Sequence, residues 1–335
     1  MATAAAVLGA GSWGTALAKL LADQGVETRL WARRRELCEA IQERRENPEY
    51  LPGASLPDRL RATHELDQAL SGVDLVLLVV PSHGVRELMR RAASHLPEDV
   101  PVVAAVKGIE NESLALVSEI LEQELPPPRH PQLAFLGGPS FAKEVARGVP
   151  TAVSVGARRH ETAVRVQQDL NTERFRVYTT DDVVGIELGG ALKNVVAIAA
   201  GIADGLGFGH NTRAALITRG LAEIGRLAIA RGADAMTLAG LGGMGDLVLT
   251  CTGDLSRNRS VGLELGRGKT LQEVLGGMNM VAEGVKTARS VYELAEREGV
   301  DMPIATEVYR VLYEDKSPME AVVSLMTRPL KAERH

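Results

Sequence analysis

Lys193 stands where a charged group is hard to keep. The run Gly189–Ala203 reads GGALKNVVAIAAGIA, and Lys193 and Asn194 are its only polar residues. That composition predicts a buried helix rather than a surface one. A lysine inside it must pair, line a cavity or give up its proton. Burial disfavours the ammonium and lowers its pKa. A lysine tuned this way suits proton transfer to and from an alcohol–ketone pair, a role worth about 10²–10⁴ in rate. The alternative is a stem that snorkels to the surface from a helix end.

Other residues could share that chemistry. Lys107 follows Val102–Val106, at the carboxyl end of a predicted strand. Ligands of open α/β sheets bind outside that end, and a cation there can polarise a carbonyl or hold a phosphate. The competing reading is an ordinary exposed lysine. Asp246 closes the glycine-rich stretch GLGGMGD. Glycines let the backbone approach closely and carry the carboxylate inward, where it would hold a buried amine; Gly–Asp is also common turn chemistry. Ser256, Arg257 and Asn258 form a compact run of donors that matches a phosphate dianion, although such runs are also frequent on surfaces. Gly137, Gly138, Pro139 and Ser140 follow the apolar run Leu133–Leu136 and form a candidate backbone-donor turn. His83 holds a similar rim position and is read as structural.

Gly9, Gly11 and Gly14 form G-x-G-x-x-G directly between a predicted strand and a predicted helix. In that context the first glycine allows a tight turn, the second lets the backbone approach a pyrophosphate, and the third packs helix on strand. The helix N-terminus offers free N–H groups to the phosphates. An acid about 20 residues on usually holds the adenine ribose of NAD. Here the second strand ends in Arg33, Arg34 and Arg35, and a guanidinium there suits a 2′-phosphate. NADPH is therefore expected, with NADH also open. The alternative for the arginines is a solvated helix start.

The elements that must position these residues follow a simple plan. Apolar runs at Ala4–Leu8, Thr28–Ala32, Leu75–Val80, Val102–Val106 and Leu133–Leu136 alternate with helical patterns, the sign of a parallel sheet with crossover helices. Ala152–Val155 and Phe175–Thr179 should finish the sheet. Beyond Gly189 only helical patterns remain, including Thr212–Arg231, Glu283–Arg297 and Pro318–Met326. The 335 residues are long for one core. A division into a nucleotide-binding unit, residues 1–186, and an all-helical substrate unit, residues 187–335, is expected, packed together across a cleft.

Composition narrows the functional class. A formal net charge of −5 gives no basic field for nucleic acid. Cys38 and Cys251 alone form no disulfide framework and fit a reducing compartment. No His/Cys cluster has metal-ligand spacing, so no metal is expected. The N-terminus lacks the basic and apolar segments of a signal peptide. No apolar run is expected to reach the about 20 residues that span a bilayer.

These residues together resemble a known family. The matching segments, in order, are GAGSWGTALA from Gly9, WARR from Trp31, VPSH from Val80, KGIE from Lys107, GGPSFAKEV from Gly137, ELGGALKNVVAIAAG from Glu187, GLGGMGDLVLTCTG from Gly240, SRNRSVG from Ser256 and VAEGVKT from Val281. The chain resembles the bacterial NAD(P)-dependent glycerol-3-phosphate dehydrogenases over nearly its whole length. The resemblance implies an N-terminal Rossmann domain, an all-α C-terminal domain, a cytoplasmic homodimer and a supply of glycerol 3-phosphate for phospholipid synthesis. It implies Lys193 as the proton acceptor when the C2 hydroxyl is oxidised. Lys107, Gly138, Ser140, Asp246, Ser256, Arg257 and Asn258 would line the substrate site. Ser12, Trp13, Arg33, Arg34, Lys107, Ala142, Arg257, Val281 and Glu283 would contact the cofactor. Two rivals remain: a hydroxy-acid dehydrogenase of related fold, and a dinucleotide sensor, which would not need Lys193.

Overall fold

Strand β1 (Ala4–Leu8) sends Ala5 and Val7 into the core on one face of a sheet, and Ala6 and Leu8 into the core on the other. Side chains alternate along a strand, so a strand covered on both faces reads as an unbroken apolar run. The computed structural model describes residues 1–277, 282–330 and 332–333. Its sheet continues with β2 (Glu27–Trp31), β3 (Leu60–Thr63), β4 (Leu75–Leu78), β5 (Val102–Ala104), β6 (Leu133–Gly137), β7 (Thr151–Gly156) and β8 (Phe175–Thr180). The spatial order is β3-β2-β1-β4-β5-β6-β7-β8.

The first six strands are parallel, with Leu8 opposite Trp31 on one side and Leu78 on the other. The chain therefore leaves β1 and β4 in opposite directions, and the crevice at their carboxyl ends is the topological switch point. This is the expected Rossmann-type doubly wound sheet. The last pair reverses: β7 is antiparallel to β6, and β8 is parallel to β7. The β6–β7 connection holds only the five-residue helix Ala142–Ala146. Such a helix spans roughly 7 Å, while returning along β6 needs roughly 17 Å, so it cannot complete a crossover. Strand β3 was not foreseen. It is a four-residue edge strand with Arg61 exposed, too short to show a pattern.

Beyond β8 only helices occur among the described residues. The helix Val183–Gly205 is their axis. Val183 and Ile186 belong to the sheet's core, whereas Leu188, Ala191, Leu192 and Val195 belong to a separate helical core. The helix contradicts the expectation that no apolar run reaches membrane-spanning length. It has 23 residues and a mean hydropathy of 1.6 over its most apolar window. That window is 94% buried inside the protein, so its apolar surface is already covered by helices of the same chain.

Candidate active site

The ammonium of Lys193 does not snorkel. The residue is 5% exposed, and its Nζ donates to Asp246 Oδ1 and, at 2.7 Å, to Thr250 Oγ1. Asp246 is 1% exposed and accepts a second ammonium, Lys107 Nζ, on its other oxygen at 2.8 Å. One buried carboxylate thus bridges a lysine of the helical half and a lysine at the rim of the sheet. Burial pushes Lys193 down to about 8, Asp246 opposes that fall, and Lys107 adds to it. An amine with that value passes between its two protonation states near neutral pH, as proton transfer requires.

Glycines bring these groups together. A Cβ at Gly189 would sit 2.5 Å from Gly242 O, and one at Gly242 would sit 2.6 Å from the Ile186 side chain. The stretch Leu241–Gly245 forms a π-helical turn against the 183–205 helix, and Asp246 opens the helix Asp246–Thr252 that follows. Thr250 lies one helical turn beyond Asp246, on the same face, and its hydroxyl donates to Asp246 O at 2.6 Å. On the sheet side, Gly138 has φ +121. Its carbonyl accepts from Lys107 Nζ at 3.3 Å and from Ser140 Oγ at 3.0 Å.

Ser256, Arg257 and Asn258 reach the same helix by a second close approach. A Cβ at Gly201 would lie 2.1 Å from Arg259 O, and one at Gly262 would lie 2.0 Å from Ile198 O. The helices Val183–Gly205 and Arg257–Gly266 therefore meet backbone to backbone. Asn258 is buried; it donates to Asn194 Oδ1 and accepts from Gly284 N, each at 2.9 Å. Ser256 is buried and caps its helix by accepting from Arg259 N at 3.3 Å. Arg257 is exposed, and its charge acts on Glu283. Desolvation raises Glu283 to about 7, against the pull of the Arg257 charge.

The switch-point turn fits a dinucleotide. Gly9 has φ +124, and a Cβ there would sit 2.3 Å from Val79 O. A Cβ at Gly14 would sit 1.8 Å from Gly9 O, whereas one at Gly11 would meet nothing within 4 Å. The first and third glycines are thus demanded by the fold. Gly11, with φ −71, is not; its missing side chain leaves open space at the start of helix Ser12–Asp23, where a pyrophosphate would approach.

Two family models match the chain: NAD-dependent glycerol-3-phosphate dehydrogenase N-terminus over residues 4–163, and C-terminus over residues 182–323. The chain belongs to this family. A relative from Citrifermentans bemidjiense, named glycerol-3-phosphate dehydrogenase (NAD(P)+), is 58% identical over 333 residues, 99% of each chain. One of the same name from Myxococcus xanthus is 56% identical, over 98% of each chain. The crystal structure of glycerol-3-phosphate dehydrogenase from Coxiella burnetii superposes with a TM-score of 0.93 at 41% identity, covering 97% of this chain and 99% of that one.

Against this family background, Lys107, Gly138, Ser140, Lys193 and Asp246 form one cluster. Ser12 and Trp13 open the glycine-turn helix; the Ser12 hydroxyl donates to Tyr50 O at 2.6 Å, and the Trp13 ring packs 6.5 Å from Phe175. Ala142 begins the short helix that lies against it. Arg33 and Arg34 follow β2 and are exposed. Val281 lies outside the described residues. Three further residues were not foreseen. Thr250 and Asn194 lie inside the segments that carry the family resemblance, and Thr250 has a usable signal, its i+4 spacing from Asp246. Asn47 is fully buried, donating to Ala10 O and Thr15 Oγ1 at 2.9 Å each and accepting from Tyr50 N at 3.0 Å. Its only sequence mark was the turn-forming pair Asn47–Pro48.

Proposed function

We propose that this chain interconverts sn-glycerol 3-phosphate and dihydroxyacetone phosphate with NADP(H) or NAD(H). The observation that carries the proposal is the buried Lys193–Asp246–Lys107 bridge between the helical half and the carboxyl rim of the sheet. Bound nicotinamide supplies the hydride acceptor or donor. In the oxidative direction, neutral Lys193 accepts the proton of the C2 hydroxyl; in the reductive direction its ammonium returns it. Asp246 and Thr250 hold the amine in place, and Asp246 keeps its affinity for the proton from falling further. Lys107 contributes a fixed positive charge toward the substrate oxygen, with Gly138 and Ser140 at the same rim. Arg257, with Asn258 and the helix that Ser256 caps, takes the phosphate.

Gly9, Gly11, Ser12, Trp13, Gly14, Arg33, Arg34, Lys107, Ala142, Arg257, Val281 and Glu283 would hold the dinucleotide. The division at residues 186/187 is supported by the passage of the 183–205 helix from the sheet core to the helical core between Ile186 and Leu188. A cytoplasmic homodimer that supplies glycerol 3-phosphate for phospholipid synthesis completes the proposal; two buried, unpaired thiols suit a reducing compartment.

Initial rates of NADPH and NADH oxidation with dihydroxyacetone phosphate, against a panel of 2-keto acids, test the reading. Turnover with dihydroxyacetone phosphate alone is expected. Turnover with keto acids alone would make the chain a hydroxy-acid dehydrogenase and reject the substrate.

A further inference from the structure

The three arginines that follow β2 are not equivalent. Arg35 turns along its own helix, Nε donating to Glu39 at 2.8 Å. Arg33 is exposed and makes no ion pair among the described residues. Arg34 donates to Glu49 from Nη2, and the same nitrogen lies 3.4 Å from Tyr50 Oη. The Arg34 guanidinium also stands over the Tyr50 ring, 6.0 Å from its centroid.

Glu49 does not reach Arg34 from a loose loop. Asn47, fully buried, ties residues 47–51 to the glycine turn through Ala10 O and Thr15 Oγ1, and Tyr50 O accepts the hydroxyl of Ser12. The loop that carries the carboxylate is thus fastened to the turn where a pyrophosphate would lie. Glu49 is fixed beside the strand end at which the adenine ribose of a dinucleotide is read. A 2′-phosphate arriving there needs the donors that Glu49 already occupies, and it meets a like charge. A 2′-hydroxyl needs neither and can donate to a carboxylate. The Arg34 and Glu49 side chains are 47% and 42% exposed, so the pair exchanges readily with a stronger anion.

We propose that Glu49 is a specificity-determining residue: by occupying Arg34 it weakens the binding of the 2′-phosphorylated dinucleotide and leaves the unphosphorylated one nearly unaffected. The chain is thereby held close to dual use of NADPH and NADH, with Arg33 the guanidinium open to the 2′-phosphate at first contact. The proposal rests on the dinucleotide reading of the glycine turn.

Titration calorimetry of the full-length protein with 2′,5′-ADP and with 5′-ADP tests it without turnover. Glu49→Gln should bind 2′,5′-ADP about 1.5- to 5-fold more tightly, the range set by an exposed ion pair, and 5′-ADP almost unchanged. The gain should shrink in an Arg34→Gln background, where no guanidinium is left to release and only the like charge of Glu49 is removed. Unchanged or weaker 2′,5′-ADP binding, an equal gain for 5′-ADP, or a gain undiminished without Arg34 overturns the role of Glu49. A parent protein that binds neither nucleotide, nor NADPH and NADH, overturns the dinucleotide reading and this proposal with it; normal parent binding with an unmoved ratio overturns this proposal alone.

Discussion

Replacing Asp246 by Asn removes a single charge from between two ammoniums and leaves the shape of the side chain. Asp246 is the group that holds Lys193 up to about 8; burial and Lys107 both push it down. The sign of the effect follows: without the carboxylate, Lys193 loses its proton at lower pH. An opposite charge in direct contact typically accounts for about 1–3 pH units. Taking about 2, the amine moves from about 8 to about 6. At about pH 7.5 its ammonium fraction then drops from roughly three quarters to roughly 3%, about 25-fold. The reductive reaction draws on that fraction, so its rate should drop by a similar factor at this pH and recover as the buffer is made acidic. The assay is kcat for dihydroxyacetone phosphate reduction from about pH 5.5 to 9.5, with NADPH binding and near-UV circular dichroism as folding controls. The parent should show a descending limb near 8, and the variant the same limb displaced to lower pH. A variant with a limb still near 8, or one uniformly slow at every pH, refutes the claim that Asp246 sets the proton affinity of Lys193.

Gly11→Ala should leave the melting temperature nearly unchanged, because its Cβ meets nothing, yet weaken NADPH binding measured by fluorescence; Gly14→Ala should lose about 1–3 kcal/mol of stability or more, because its Cβ overlaps Gly9 O. Equal effects of the two on stability would contradict the assignment of open space to the ligand. Arg257→Ala should raise KM for dihydroxyacetone phosphate about 10- to 150-fold, the worth of a charge-assisted contact of about 1.5–3 kcal/mol, and a KM within about twofold would place the phosphate elsewhere. Glu187 accepts from Ser118 N at 2.8 Å and from Ser118 Oγ, and burial raises it from 4.5 to about 7. Between those values the native state holds a proton that the unfolded chain has released, so this group's contribution falls as pH rises, by roughly 3 kcal/mol at most. Glu187→Gln lacks that dependence and should gain on the parent across the window in urea unfolding; a constant difference would remove Glu187 as its source.

Residues whose meaning is local were readable from the chain. Gly9 and Gly14 announced a strand–turn–helix joint, and the apolar surroundings of Lys193 announced burial, because each signal lies within one element. The functional consequence of burial was not local. The glycine-rich stretch before Asp246 pointed to a carboxylate carried inward to a buried amine, but turn chemistry reads the same on paper, and only the closeness of Gly189 to Gly242 decides between them. Asn47 and Glu49 lay in a segment legible only as a proline-marked loop. Their partners, Thr15 and Arg34, sit in other elements, and such contacts leave no periodicity. Strand β3 was hidden for a related reason: four residues with one exposed arginine gain their pairing from β2 rather than from their own composition. The reversal at β7 follows from the brevity of the Ala142–Ala146 helix, a length that the glycine- and proline-rich sequence around it did not delimit.

The proton-transfer role of the buried amine is tested most directly by kcat for dihydroxyacetone phosphate reduction in Lys193→Ala, measured with and without added ethylamine. The expected result is a loss of about 10²–10⁴ with NADPH affinity retained, and partial recovery when the small amine enters the space the side chain left. A variant that turns over at close to the parent rate, with no response to the amine, would show that the proton travels by another route.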